Sequence, residues 1–272
     1  MFEFIKTELA KFNIDLVSSI SLDECKITRR YLLDKNGIEQ GSAIIFAVPY
    51  LTEVSDGERN ISSYAVSRDY HLFSANLFNV LIPLLEEKYP SNKFAGFTDH
   101  SPIDEIHASA LCGIGVIGKN HLLITEKYSS YIFLGEIITD ASLPSFANEI
   151  KECINCGNCI NSCPVNLQTT ACLSSLTQKK GELNEREKAA IKLHGCAWGC
   201  DKCQECCPYT INAKNNETIY SKVDFFNTEL TPMLTSELVE NMSNEEFSSR
   251  AYSWRGKNTI KRNLELLTER DN

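Results

Sequence analysis

The sequence predicts an α+β chain: a mixed α/β domain over residues 1–147, a cysteine-built module over 148–212 and a helical segment over 213–272. Three observations predict it. Short apolar runs alternate with helix-periodic stretches in the first half. Ten of the twelve cysteines fall between Cys153 and Cys207. A polar stretch at 212–218 then leads into fifty residues of mostly helical pattern.

Taken in order, residues 1–12 and 22–35 read as short helices. The apolar run 42–50, ending on Pro49-Tyr50, suits a buried strand. Residues 69–88 form a long amphipathic helix that Pro83 is expected to kink. A short strand follows at 93–98. Ser101-Pro102 reads as an N-cap with proline at the first helical position, and Asp104 and Glu105 fall in the first turn of a helix running to about Cys112. Residues 121–125 and 131–139 are strands joined by a turn. Within the cysteine block, 172–194 is helical with a break near Gly181.

Bulk properties narrow the function. At roughly 100–200 residues per domain, 272 residues make one large domain or two ordinary ones. A net charge of −9 excludes nucleic-acid binding by bulk charge, so RNA contact needs a local basic patch. The longest apolar stretches, 43–48 and 80–85, fall far short of the ~20 residues a bilayer demands. Residues 1–12 carry Lys6, Glu8 and Lys11 and lack the apolar core of a secretory signal. The expectation is a cytoplasmic protein, in which twelve cysteines serve as metal ligands rather than disulfides.

The cysteine spacing is specific. Cys153-x2-Cys156-x2-Cys159-x3-Cys163-Pro164 has the bacterial ferredoxin spacing, in which three cysteines hold one [4Fe–4S] cluster and the fourth serves the other. Cys200-x2-Cys203-x3-Cys207-Pro208 repeats the Cys-Pro exit. Exchange of the fourth ligand assigns Cys207 to the cluster of Cys153, Cys156 and Cys159. Cys163 joins Cys200, Cys203 and one further cysteine. Spacing leaves that ligand open between Cys172 and Cys196, with Cys206 an awkward neighbour of Cys207. A zinc ribbon is the alternative, but it rarely uses a third evenly spaced cysteine or the Cys-Pro step. Cys25 and Cys112 read as core thiols.

Gly113-Ile-Gly-Val-Ile-Gly118 matches the dinucleotide fingerprint in letters but follows a helix and leads into a strand, the reverse of what that fingerprint needs. It reads as a tight turn, or as a loop where a planar ligand meets backbone. Arg68-Asp69-Tyr70-His71 opens the long helix, where donors could hold an anionic or amide-bearing ligand. Asp99 stands ahead of the expected cap; in a closed apolar pocket it would hold a proton to donate.

Ser67-Arg-Asp-Tyr-His71, Asp99-x2-Pro102-x2-Glu105, Gly113 to Asn120, Phe133-Leu-Gly-Glu136, Cys172-Leu-Ser-Ser-Leu-Thr177 and Gly199-Cys-Asp-Lys-Cys-Gln204 occur in one order. This order resembles the epoxyqueuosine reductase family, relatives of reductive dehalogenases, from about Ser42 to about Leu267. The resemblance implies two [4Fe–4S] clusters and a base-off cobalamin held between the α/β domain and the cluster module. It implies Cys172 as the open ligand and Asp99 as the proton donor. It implies corrin neighbours among Arg68, Tyr70, His71, Asp99, Lys119, Asn120, Leu123, Phe133, Ser174, Thr177 and Gln204. The implied reaction reduces epoxyqueuosine to queuosine in tRNA, or a smaller epoxide-type substrate, with electrons from a flavodoxin or ferredoxin. The alternative is an electron-transfer protein or a corrinoid-handling partner. The sequence lacks the C-terminal helical repeats with which many members hold tRNA, and it has Val116 and Ser175 where they usually have tryptophan and tyrosine. The stretch 247–264, with Tyr252, Trp254 and no acid, is the candidate RNA contact.

Overall fold

The computed structural model describes residues 1–165, 167 and 172–268. The chain opens with α1 (Phe2–Ala10), β1 (Leu16–Ser21), α2 (Arg30–Lys35), β2 (Ser42–Pro49), α3 (Glu53–Asp56) and α4 (Tyr70–Lys88). It continues with β3 (Phe94–Phe97), α5 (Glu105–Leu111), β4 (Val116–Ile117), β5 (Leu123–Ile124) and β6 (Ile132–Thr139). The cysteine module carries α6 (Asn158–Ser162), α7 (Leu173–Thr177), α8 (Glu185–His194), α9 (Lys202–Glu205) and α10 (Pro208–Asn215). The last part holds α11 (Ser236–Asn241), α12 (Asn244–Ser248) and α13 (Lys257–Thr268).

One antiparallel sheet, in the order β1-β2-β6-β3, organises the first domain. All eight residues of β2 are buried, because both of its faces are covered. Ile44, Phe46 and Val48 pack with α1 and α4 on one side. Ala43, Ile45 and Ala47 pack with α2 and α5 on the other. The period-2 alternation of side chains lets one strand serve both cores. Cys112 belongs to the second core and Cys25 packs against it; burial pushes their thiols up to about 11 and about 12.

Several expectations need correction. The span 22–35 is a 3-10 turn and the short α2, and the strand β1 before it is hidden in the sequence because three of its six residues are serines, which break the apolar pattern. Helix α4 holds Pro83 within its span, where the sequence reading places it. The proline is exposed, and the carbonyl it deprives of a donor, at exposed Asn79, can bond to water. Ser101 does not cap α5; the cap is Asp104, which accepts from the His107 amide at 3.3 Å. The carbonyl of Pro102 accepts from the amides of Thr28 and Arg29, so 101–103 is held extended against 27–29. Strand β5 pairs with β4, not with β6, in a separate two-stranded sheet.

The stretch 212–218 begins as the last turn of α10. Ala213, Ile219, Val223 and Phe226 then enter the core of the first domain beneath α4. The tail also closes over 61–66 and Trp198 through Leu234, Val239, Phe247, Tyr252, Ile260 and Leu264.

Candidate active site and cluster cavities

Two cavities lie in the cysteine module. Cys153, Cys156, Cys159 and Cys207 line one, and Cys163, Cys172, Cys200 and Cys203 line the other. These are the two exchanged sets. Cys196 is absent from the second: its Sγ points to the carbonyls of Trp198 and Gly199 at 3.4 and 3.3 Å. Cys206 lies beside Cys159 and Cys207 but turns its thiol to the Cys203 carbonyl at 3.7 Å. Burial first, then the Asp201 charge and the neighbouring thiols, pushes Cys200 up to about 11; burial and then the thiols push Cys203 up to about 12. Eight thiols in two sets of four are the donor set two cubanes need.

The glycine run lies between α5 and the β4–β5 pair. A Cβ at Gly115 would stand 2.6 Å from the Ile124 carbonyl oxygen, and Gly113 has φ +78°. The turn and the close pairing of β4 and β5 account for these glycines. The tip of that hairpin is Lys119-Asn120-His121; Asn120 borders both cavities and Lys119 the first. Lys119 is exposed and makes no ion pair among the described residues.

Asp99 sits two residues beyond β3 with φ +58°, in the left-handed region that disfavours side chains. The hydroxyl of Tyr70 donates to its Oδ2, and His71 Nε2 lies 3.5 Å from the same oxygen. Asp69 caps α4 by accepting from the His71 amide at 2.9 Å, and its Oδ1 also meets His71 Nδ1 at 2.8 Å. The opening of α4 therefore carries a cap and a clamp on Asp99 together. Asp99 does not lie in the closed apolar pocket the sequence suggests, its side chain being 57% exposed; partial desolvation first, then the charge of Asp69, raises its proton affinity. The Asp69 contact raises His71. Burial alone would raise Asp69, but the two His71 hydrogen bonds bring it below its ordinary range.

Behind Asp99 stand Glu105, at the start of α5, and Glu136, on β6. Glu136 is fully buried, and no donor reaches either of its oxygens in hydrogen-bond geometry. Burial and then Asp99 push Glu105 up to about 7; burial and then Glu105 push Glu136 well above the carboxylate range.

The other expected site residues divide. Phe133 stacks on Tyr70 at 3.9 Å and 9°, and Tyr50 lies over Phe133 at 4.5 Å. Gln204, next to Cys203, accepts from Ser130, donates to Asp201 and faces Tyr50. Gln204, Tyr50, Phe133, Tyr70 and Asp99 thus form one run of contacts from cluster module to acid. Ser174 lies half-buried on α7. Thr177 is buried and bonded to the Gly199 amide, and Leu123 lies in the core. Arg68 is committed to Glu229 at 3.2 Å and to the Phe225 ring.

Sequence reading missed Tyr50 and the Asp201 network. Asp201 is buried, accepts from Ser62, from Ser63 and its amide, and pairs with Arg59 at 3.1 Å. No spacing signal links residues 140 positions apart. Glu136 did leave a signal: a lone carboxylate in an otherwise apolar strand.

An antiparallel α+β domain joined to a module of paired cysteine sets defines an iron–sulfur protein. Residues 152–211 match the family model of the 4Fe-4S dicluster domain. The chain is 31% identical to the epoxyqueuosine reductase of Lactococcus garvieae over 229 residues, covering 79% of this chain and 62% of that protein. It is 31% identical to that of Gloeobacter violaceus over 216 residues, covering 76% and 68%. It belongs to the epoxyqueuosine reductase family. It spans under two thirds of the length of the Lactococcus relative. Solved structures share its fold: an epoxyqueuosine reductase from Streptococcus thermophilus (TM-score 0.78, 23% identity, 97% of this chain and 80% of that one). Another, with a tRNA-Tyr epoxyqueuosine-modified stem loop, has TM-score 0.75 at 22% identity over 98% of this chain and 81% of that one.

Proposed function

We propose that the chain reduces the epoxide of epoxyqueuosine in tRNA, with two [4Fe–4S] clusters, cobalamin and Asp99 as the proton donor. The observation that carries this reading is the run from Gln204, beside a cluster thiol, to a clamped Asp99 whose proton affinity is raised. The family relatives, and a neighbour bound to a modified stem loop, support the substrate. No helix of the described residues is long and apolar enough to cross a membrane.

Removing an epoxide oxygen as water takes two electrons and two protons. The clusters pass electrons singly, drawn from a low-potential flavodoxin or ferredoxin. Cobalamin, when bound, supplies a metal that can collect them. The residues present fit it: Lys119 offers a free ammonium, Asn120 and Ser174 offer polar groups for peripheral amides, and the Tyr70–Phe133 stack offers an apolar wall. Gln204 and Thr177 spend their polar atoms inside the protein and position the module instead. The chain's own step is proton delivery. Tyr70 and His71 hold Asp99 toward the site, and Asp99 gives the departing oxygen one of its two protons, the second coming from solvent.

The test is Asp99→Asn, which keeps shape and loses the acidic proton. Single-turnover reduction should fall by ~10²–10⁴-fold, with iron content and cobalamin affinity unchanged. Normal turnover by the loaded variant would remove Asp99 from the mechanism.

A further inference from the structure

Asp201 stands between two thiols of one cysteine set, directly after Cys200 and two residues before Cys203. Its side chain is 2% exposed. Five donors converge on it. Oδ1 accepts from the Ser62 hydroxyl and from Gln204 Nε2, the latter at 3.1 Å. Oδ2 accepts from the Ser63 amide at 2.7 Å, from the Ser63 hydroxyl at 3.1 Å and from Arg59 Nη2 at 3.1 Å. A protonated acid would have to turn one of these donors away, so the group is a carboxylate. The only cation among the five, Arg59, is shared: the same Nη2 donates to Glu205 at 2.6 Å. Lys202 lies 3.7 Å from the other Glu205 oxygen. A buried negative charge is thus offset only in part.

The charge borders one cysteine set and not the other. Cys200 lines the cavity of the second set and also a neighbouring cavity lined by Arg59, Asp201 and Glu205. Among the described residues, no thiol of the first set lines that neighbouring cavity. Fastening the module to the first domain does not need the charge, because backbone bonds from Ser62 to Trp198 and from Ala197 to Asn60 already do so.

A cubane that takes up one electron gains one negative charge, and the net charge and hydrogen bonds around it set its potential. A nearby anion opposes that gain and a cation favours it, most strongly away from water. We propose that the Asp201 carboxylate, moderated by Arg59, lowers the reduction potential of the cluster held by Cys163, Cys172, Cys200 and Cys203 and so keeps it a strong reductant. Both residues act through the cluster and neither is catalytic. The inference rests on that cysteine set holding a cubane.

The two partners predict shifts of opposite sign. The test is an anaerobic redox titration of the full chain with a titanium(III) reductant, followed by electron paramagnetic resonance, with iron and zinc measured first. Asp201→Asn should raise one cluster midpoint by about tenfold in the reduction equilibrium, ~59 mV for one electron, and leave the other in place. Arg59→Gln should lower the same midpoint. Arg59→Lys, which keeps the charge but loses the planar fork, should stay near the parent. A joint that is only structural would instead lose iron in all three variants, the lysine one included. Unmoved midpoints in variants of full iron content would overturn the proposal, as would shifts of one sign in Asp201→Asn and Arg59→Gln. Should Asp201→Asn fail to hold iron, the two Arg59 variants decide by the same signs. Zinc in place of iron in the parent would overturn the cluster reading itself, and the inference with it.

Discussion

Asp99 combines a left-handed backbone, a tyrosine donor and an adjacent imidazole. Non-glycine residues tolerate such a conformation where surrounding contacts over-determine it. Here Tyr70 and His71, fixed by the Asp69 cap, do so. Asp69 stabilises the charged imidazole, so Asp69→Asn should lower the ionisation midpoint of His71, measurable by NMR titration of its ring protons; an unchanged midpoint would break the link from cap to clamp. Glu105 carries a stability consequence. Its folded-state value, about 7, lies above the ordinary 4.5. Between those values the unfolded chain is ionised and the folded one holds the proton, so this group's contribution falls as pH rises from about 4.5 to about 7. Glu105→Gln should therefore gain thermal stability relative to the parent at pH 7.5 and show little gain at pH 4.5, read as the difference between melting temperatures. At this scale the sequence named Asp99, Tyr70, His71 and Phe133, because they fall in an ordered set of motifs. Tyr50 and Asp201 act through contacts that no local pattern announces.

At the scale of elements, strands and helices with one clear period were legible. Strand β2 reads as an unbroken apolar run because both faces are buried, and α4 because its cap and stripe agree. Elements set by tertiary pairing were not. The start of α5 moved to Asp104 because the Pro102 carbonyl is captured by the 28–29 amides. Strand β5 pairs with β4 rather than β6, which the sequence does not show because two residues carry no register information. The junction between module and domain is pinned at Gly199, φ +75°, where a Cβ would press on Ser62 and approach Tyr64 Cε1 to 3.1 Å. Adjacent backbone bonds tie Ser62 to Trp198 and Ala197 to Asn60, each at 2.7 Å. Gly199→Ala should cost about 1–3 kcal/mol, seen in anaerobic urea denaturation, and should lower iron retention in the cavity of Cys200. Parent-like stability and iron would show that the junction yields without strain.

Across the whole molecule, the third segment is no appendage. It fills the core beneath α4 and closes over Trp198, which a composition change at 212–218 gave no means of reading. The same folding alters the RNA question. Tyr252 is buried, Arg250 donates to the Glu229 carbonyl, Lys257 to the Met242 carbonyl, and Lys261 pairs with Glu240. Trp254 is left 57% exposed with the Arg255 guanidinium 3.6 Å from its ring centroid. If tRNA contacts this face, Trp254→Ala should weaken stem-loop binding about tenfold, within the ~1–3 kcal/mol of one base stack. Lys261→Ala should leave affinity near that of the parent. Equal losses from both would mean diffuse charge, not stacking, carries the contact.

In the proposed function, thiols, corrinoid and acid form one reducing unit. Its most direct test is anaerobic single-turnover reduction of an epoxyqueuosine-modified tRNA stem loop by protein of measured iron content, with and without cobalamin. The expected result is two [4Fe–4S] clusters per chain, loss of one cluster and of turnover in Cys156→Ser, and conversion to queuosine only when cobalamin is present. Stoichiometric zinc in place of iron, or equal conversion with cobalamin withheld, would contradict it.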